Sequence, residues 1–288
     1  MEPHGQSLGD PHSGFGGGDI PPTRRLGFHR VAHGRRPWRN GGIAVGWVLA
    51  SLSAALPAAA AVDHTAWDAL LKRYVSEAGL VDYAAWRADR AGIDAYVASL
   101  SKADVTLGSQ AEQLAFWINA YNACVIEGVL DRPGTASVKN VPGFFNTIRY
   151  PVAGASLTLN EIESRGRALG DWRIHVAVVC ASSSCPFLRA EAYAPDRLNE
   201  QLADQLRRFL ADPKRGLRVE GQTLWVSKMF KWYDEDFVPT GHLTAQTLVP
   251  VLAAYLSPEQ AQAAGQAGLA VKFMDYDWSL NEIGRREP

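Results

Sequence analysis

The stretch SQAEQLAFWINAYNACVIEGVL, Ser109 to Leu130, constrains the fold more than any other part of the chain. Its apolar residues keep helical spacing and extend round nearly the whole circumference. The helix they predict therefore has little face fit for water and has to be enclosed by other elements. Asp131-Arg132-Pro133-Gly134 stops it. Two amides interrupt the apolar run. Asn119 and Asn122 are three residues apart, so they share one side of the helix, with Glu112 on the same stripe. Asn is a poor helix former, and an unpaired buried amide costs roughly 1–3 kcal/mol. Something that needs amides must lie against this side. It is either a set of loops tied to the helix or a cleft whose donors meet developing negative charge.

Shorter elements surround the central helix. Trp67, Leu70, Leu71, Tyr74 and Val75 mark one face of a first helix, and Ile93, Tyr96, Val97 and Leu100 mark a second. The stretch GLVDYAAW between them reads as a turn and a short extended piece. Residues 147–152 and 156–157 pair as a hairpin, and Thr158 to Glu161 is a capping box opening the next helix. Ile174 to Cys180 reads as a strand buried on both faces. Residues 196–213 form an amphipathic helix, and GLRVEGQTLWVS forms a second hairpin. Ser227 to Phe237 is a short helix, two further helices follow, the second with Pro258 at its first position, and a last strand closes the chain. The pattern predicts one α+β domain over residues 62–288, its long central helix packed on a small mixed or antiparallel sheet.

The first 61 residues read differently. Residues 1–33 are rich in Gly, Pro, His and Arg without apolar periodicity, as a disordered leader or an overlong gene start would be. Residues 34–61 carry Arg35, Arg36 and Arg39, then a mostly apolar run, then small residues at Ala58 to Ala61. That is the order of a secretory signal peptide, and it predicts a periplasmic or secreted protein. The membrane enters only through this segment if it stays uncleaved. Beyond residue 61 there are 23 Lys and Arg against 27 Asp and Glu. With no basic stripe, nucleic acid is not an expected partner; a small molecule or peptide is. No cofactor or metal is expected, since the C-x4-C spacing of Cys180 and Cys185 is not a usual zinc spacing.

IHVAVVCASSSCPFL, Ile174 to Leu188, is the candidate site. His175 is one of only three histidines beyond residue 61, and it interrupts an apolar surface. Cys185 precedes Pro186, which suits a helix N-cap, where a thiol has a lowered pKa. The competing reading is a Cys180–Cys185 disulfide, for which an oxidising compartment is permissive. On a strand, His175 and Cys180 lie about 16 Å apart on opposite faces, which disfavours an imidazole–thiol pair. Cys124 points away from Asn122 and reads as core.

The chain resembles a bacterial family, of secreted or periplasmic type, named as domain of unknown function 547. The motifs that carry the resemblance run in order as LAFWINAYNA, SLTLNEIE, RIHVAVVCASSSCP, VSKMFKWYDEDF and YDWSLN. It singles out Asn119, Tyr121, Asn122, His175, Cys180, Cys185, Lys228, Trp232, Asp236, Asp277 and Trp278. It also suggests a remote likeness to papain and transglutaminase folds, in which the central helix carries the nucleophilic Cys; here the helix offers Asn. The expected site is then a hydrolase or acyl transferase cleft. His175 would be the general base, Asp277 its orienting carboxylate, Asn122 the stabiliser of negative charge, and Cys185 or water the nucleophile. Asn119, Tyr121, Lys228, Trp232 and Asp236 would bind substrate. The alternatives are a non-catalytic ligand- or peptide-binding module, and a thiol-redox protein cycling Cys180 and Cys185.

Overall fold

The computed structural model describes residues 62–106, 108–239 and 241–284. The leader expected over 1–33 and the signal peptide expected over 34–61 lie outside them. The described chain is α+β. Helices α1 (Thr65–Tyr74), α2 (Tyr83–Ala88) and α3 (Ala91–Leu100) lead to the central helix α4 (Gln110–Leu130). The hairpin β1 (Arg149–Val152) and β2 (Ala155–Thr158) runs straight into α5 (Leu159–Arg167). A 3-10 turn (Trp172–Val176) and a long irregular segment precede α6 (Leu198–Ala211). Then come β3 (Leu217–Glu220), β4 (Thr223–Val226), the short helices α7 (Met229–Trp232) and α8 (Asp234–Phe237), α9 (Ala245–Leu252), α10 (Pro258–Ala264) and β5 (Ala270–Phe273). Strands β3 and β4 are antiparallel and β5 joins β4 in parallel, so this small sheet is mixed. No helix among the described residues is long and apolar enough to cross a membrane.

The central helix is enclosed as its composition demands. Sixteen of its residues are buried, from Leu114 to Leu130. Ser109 accepts from the Glu112 amide while the Glu112 carboxylate accepts from that of Ser109, closing a capping box. Its main neighbours are α5 and α3. The β1–β2 hairpin reaches it at Gly128, where a Cβ would stand 2.5 Å from the Tyr150 hydroxyl. Only a residue without a side chain admits that approach.

The apolar side chains form two clusters. One gathers α1 to α5 with the first turns of α6, ending at Leu202. The other gathers the second half of α6, the mixed sheet and the helices beyond it. His175 sits on the seam, because Ile174 belongs to the first cluster and Val176 to the second.

Three local expectations are corrected here. Ile174 to Cys180 is not a strand. The chain turns at Trp172–Val176, the amides of Ala177 and Val178 bond back to the Ile174 carbonyl, and among the described residues no strand pairs with it. A short apolar run buried on all sides has the same composition whether it extends or turns, so periodicity could not separate the two. The extended piece expected before Trp86 is helix α2, capped by Asp82 accepting from the Ala85 amide at 2.9 Å. No helix begins at Pro186; the chain stays irregular until α6. Cys185 is therefore not a helix N-cap, and the dipole argument for its reactivity lapses.

Candidate functional site

The residues singled out by sequence divide into two centres. The first is the loop Cys180 to Cys185, closed by a disulfide between its two ends with Cα atoms 6.3 Å apart. Cys124 is the free cysteine, buried in the core, with its thiol pushed up by burial. Ala181 holds the loop open with φ of 62°, a left-handed conformation that costs an L-residue with a side chain about 1–2 kcal/mol. The segment after β5 lies along the loop. Ser183 and Ser184 donate their amides to the carbonyls of Ser279 and Asp277, and Asn281 donates to Ala181. This pairing supplies the hydrogen bonds that hold the strained turn.

The sulfurs are surrounded by donors. The Cys180 amide points at Cys185 Sγ at 3.0 Å, and the Tyr276 hydroxyl donates to the same sulfur at 3.2 Å. Ser182 in turn donates to Tyr276 at 3.1 Å. The Ser182 and Tyr276 oxygens also lie 3.1 and 3.3 Å from Cys180 Sγ. The two cysteines differ in access: Cys185 is 4% exposed, whereas Cys180 is only partly buried. Trp232 and Trp278 pack on the Tyr276 ring at centroid distances of 4.8 and 4.7 Å, and Lys139 lies over Trp278.

The second centre surrounds His175, whose side chain is wholly buried. Its Nε2 lies 2.7 Å from Asp236 Oδ2, and Arg167 Nε donates to the same oxygen at 2.8 Å. The His175 hydrogen bond, and then Arg167 against the opposing pull of desolvation, hold the Asp236 carboxyl well below the usual carboxylate range. Tyr233 stacks on the imidazole at 3.9 Å, and Arg167 covers the same tyrosine ring. Burial and then Glu163, a residue only 5% exposed on the inner side of α5, push the Tyr233 hydroxyl well above its ordinary value. Among the described residues, neither His175 Nδ1 nor Glu163 Oε1 has a hydrogen-bond partner.

The structure joins some of the expected residues and parts others. The carboxylate on His175 is Asp236, not Asp277. Asp277 accepts from the Ser279 amide at 2.8 Å, on the wall of a cleft of ≈ 610 Å³ that Ser183, Ser184 and Phe187 also line. Asn122 is committed to backbone: it donates to the Ala177 carbonyl at 2.9 Å and accepts from the Val179 amide at 2.8 Å. Asn119 does the same for both backbone groups of Tyr193, at 2.8 and 3.0 Å. The amide row of the central helix thus ties loops. Tyr121 is buried, its hydroxyl pushed well up by burial and then by Glu163. Lys228 Nζ stands 3.7 Å from Asp275.

Glu163, Arg167 and Tyr276 complete the two centres and were not among the expected site residues, whereas Tyr233 was expected with Lys228, Trp232 and Asp236 to line a pocket from one short helix. Glu163 left a signal: with Leu159, Ile162 and Gly166 it falls on the buried stripe of α5, where a carboxylate is out of place. Among the described residues, no three His, Cys, Asp or Glu side chains gather as metal ligands.

Residues 106–210 match the family model described as protein of unknown function, DUF547. The match supports the resemblance carried by the motifs. Within the DUF547 match lie the central helix, Glu163, His175 and both cysteines of the disulfide; Asp236 and Tyr276 lie beyond it. No curated protein and no solved structure matches the chain. His175 sits on a 3-10 turn, where a papain- or transglutaminase-like arrangement would put a strand.

Proposed function

We propose that the chain is an exported protein whose reactive group is the Cys180–Cys185 disulfide, and that its chemistry is thiol–disulfide exchange. One observation carries this reading. The buried sulfur, Cys185 Sγ, faces a backbone amide at 3.0 Å and the Tyr276 hydroxyl at 3.2 Å, while its partner Cys180 is the accessible one.

That asymmetry suits a defined course of reaction. The thiolate of a dithiol substrate attacks Cys180 Sγ, forming a mixed disulfide and breaking the Cys180–Cys185 bond. The bond's electron pair leaves on Cys185 Sγ, where two donors meet the new negative charge. A better-stabilised leaving thiolate leaves faster and makes the disulfide more oxidising. The substrate's second thiolate then attacks its own mixed sulfur, releasing Cys180 and leaving the substrate oxidised. A second disulfide compound, exchanging in the opposite direction, restores the starting state.

A hydrolase using Cys185 with His175 is less well supported. Cys185 is bonded to Cys180, Asn122 is spent on backbone, and none of the hydrogen bonds of His175 reaches a sulfur. Equilibration of the folded protein with glutathione buffers, read by alkylation and mass, tests the proposal. A midpoint above about −250 mV is expected. A midpoint below about −300 mV would mark a stable structural staple and end the exchange reading.

A further inference from the structure

The disulfide loop docks on the segment that follows β5, and both flanks of the loop are pinned. On its leading side the Val179 amide donates to Asn122 Oδ1 at 2.8 Å; on its trailing side Gln205 Nε2 donates to the Phe187 carbonyl. Between these anchors the loop meets the segment edge to edge. Ser183 and Ser184 donate their amides to the carbonyls of Ser279 at 2.7 Å and Asp277 at 3.2 Å. In return the Asn281 amide donates to the Ala181 carbonyl at 3.2 Å, and the Asp277 amide donates to Ser184 Oγ at 2.8 Å. Neighbouring amides of the same segment are held elsewhere. Leu280 donates to the Ala136 carbonyl at 3.1 Å and Ile283 to that of Val81 at 2.9 Å, while Val81 donates to the Asn281 carbonyl at 2.8 Å. The seam between loop and segment runs through one wall of the ≈ 610 Å³ cleft, where Ser183 and Ser184 stand with Asp277 and Ser279.

We propose that this seam is a redox-operated joint: reduction of the Cys180–Cys185 bond lifts the loop off residues 277–281 and takes apart that wall of the cleft. The opening of the bond rests on the exchange reading. A dithiol gives up two electrons and two protons, becomes a disulfide, and leaves Cys180 and Cys185 as thiols.

The placement of the two cysteines makes the loop the part that moves. Once the bond is gone, the sulfurs must part to van der Waals contact. Cys185 is 4% exposed and is followed by Pro186, whose ring fixes the backbone, so it has little room to give way. Cys180 is partly exposed and has that room. The residue after it, Ala181, is held at φ of 62°, a conformation that an L-residue leaves once nothing enforces it. Rotation there swings the Ala181 carbonyl away from Asn281 and turns the amides that follow. The Cys180 amide also loses its contact with Cys185 Sγ, 3.0 Å in the closed loop. The segment keeps its place, because Leu280, Asn281 and Ile283 stay tied to Ala136 and Val81.

The test measures amide hydrogen exchange residue by residue by NMR, in the oxidised protein and after reduction with excess phosphine, which opens the bond whatever its midpoint. The amides of Ser183, Ser184, Asp277 and Asn281 should exchange at least about tenfold faster on reduction, and those of Val81, Leu280 and Ile283 should stay within about twofold of their oxidised rates. Ala181→Gly removes the penalty on the left-handed turn, so the ratio at Asn281 should fall below about threefold. Loop-to-segment amides that keep their rates in the reduced parent would overturn the joint. So would acceleration shared equally by Val81, Leu280 and Ile283, which is loosening of the whole region. A ratio that persists in Ala181→Gly would overturn the strained turn as the source of the movement. The two readings fail separately. A midpoint below about −300 mV sinks the exchange reading and, with it, the joint. A higher midpoint with unmoved amides sinks the joint alone.

Discussion

The disulfide loop and the His175 cluster begin five residues apart in the chain and are built in opposite ways. The loop stores strain at Ala181, leaves Cys180 accessible and gathers donors round a bond that can open. The cluster shuts its imidazole away completely, between a stacked tyrosine and an ion pair. A buried histidine looks like the natural centre of a reaction, and a disulfide looks like a staple. Access and donor placement reverse those first impressions.

The hardest test of that contrast removes one sulfur. Cys185→Ser should abolish exchange and leave Cys180 to collect stable mixed disulfides, whereas His175→Gln should keep at least a measurable exchange rate. Because the closed loop is so short, losing the bridge should cost only about 2 kcal/mol in urea unfolding. A full loss of exchange in His175→Gln with intact Cys180 and Cys185 would mean that the cluster, not the loop, holds the chemistry.

Asn122 ties the two regions together, and its removal should destabilise the fold most. Asn122→Ala leaves the Ala177 carbonyl and the Val179 amide without partners inside the core. The expected loss is about 2–4 kcal/mol by denaturant titration. A loss under about 1 kcal/mol would show that water replaces the amide, which is the behaviour of an open cleft.

Much of this was legible in sequence, and the boundary is instructive. The all-round apolar helix, both hairpins and the capping box at Thr158 could be read because each rests on local periodicity or local hydrogen bonding. The strand at Ile174 could not be corrected from sequence, since a fully buried turn and a fully buried strand share one composition. Of the site, His175 was legible as a polar residue on an apolar surface and Cys180 and Cys185 as a spaced pair, while Asp236 was singled out through the family resemblance. Their grouping was not. Which carboxylate meets His175 depends on how α7 and α8 fold back onto the seam between the clusters, and no spacing in the chain records that. Tyr276 escaped notice because a tyrosine beside aspartate and tryptophan has nothing unusual about it until its hydroxyl is seen on sulfur.

Acid should separate the regions more gently. The folded value of Asp236 lies below its ordinary 3.8, through the His175 bond first and Arg167 next. Its contribution to stability is therefore complete above the ordinary value and is lost as pH falls below it toward the folded one. Asp236→Asn should unfold about 1–2 kcal/mol more easily at neutral pH, a figure reduced for the carboxylate's partial exposure. The difference from the parent should shrink steadily below pH 3.8. A difference that stays constant down to pH 2 would mean that the carboxylate's charge contributes nothing there.

The smallest effect belongs to Asp277, and it decides between two partners for one histidine. Asp277 is exposed and its side chain accepts a single backbone bond, from Ser279. Asp277→Asn keeps that acceptor, so stability should change by less than about 0.5 kcal/mol. Its backbone bonds to Ser184 remain, so the disulfide loop should keep its geometry. The 15N shifts of His175 should not move in Asp277→Asn and should move clearly in Asp236→Asn, because Nε2 lies 2.7 Å from Asp236 Oδ2. If the Asp277 substitution moves them instead, the imidazole is held from the cleft side. The contrast between an enclosed histidine and an accessible disulfide would then dissolve into a single site.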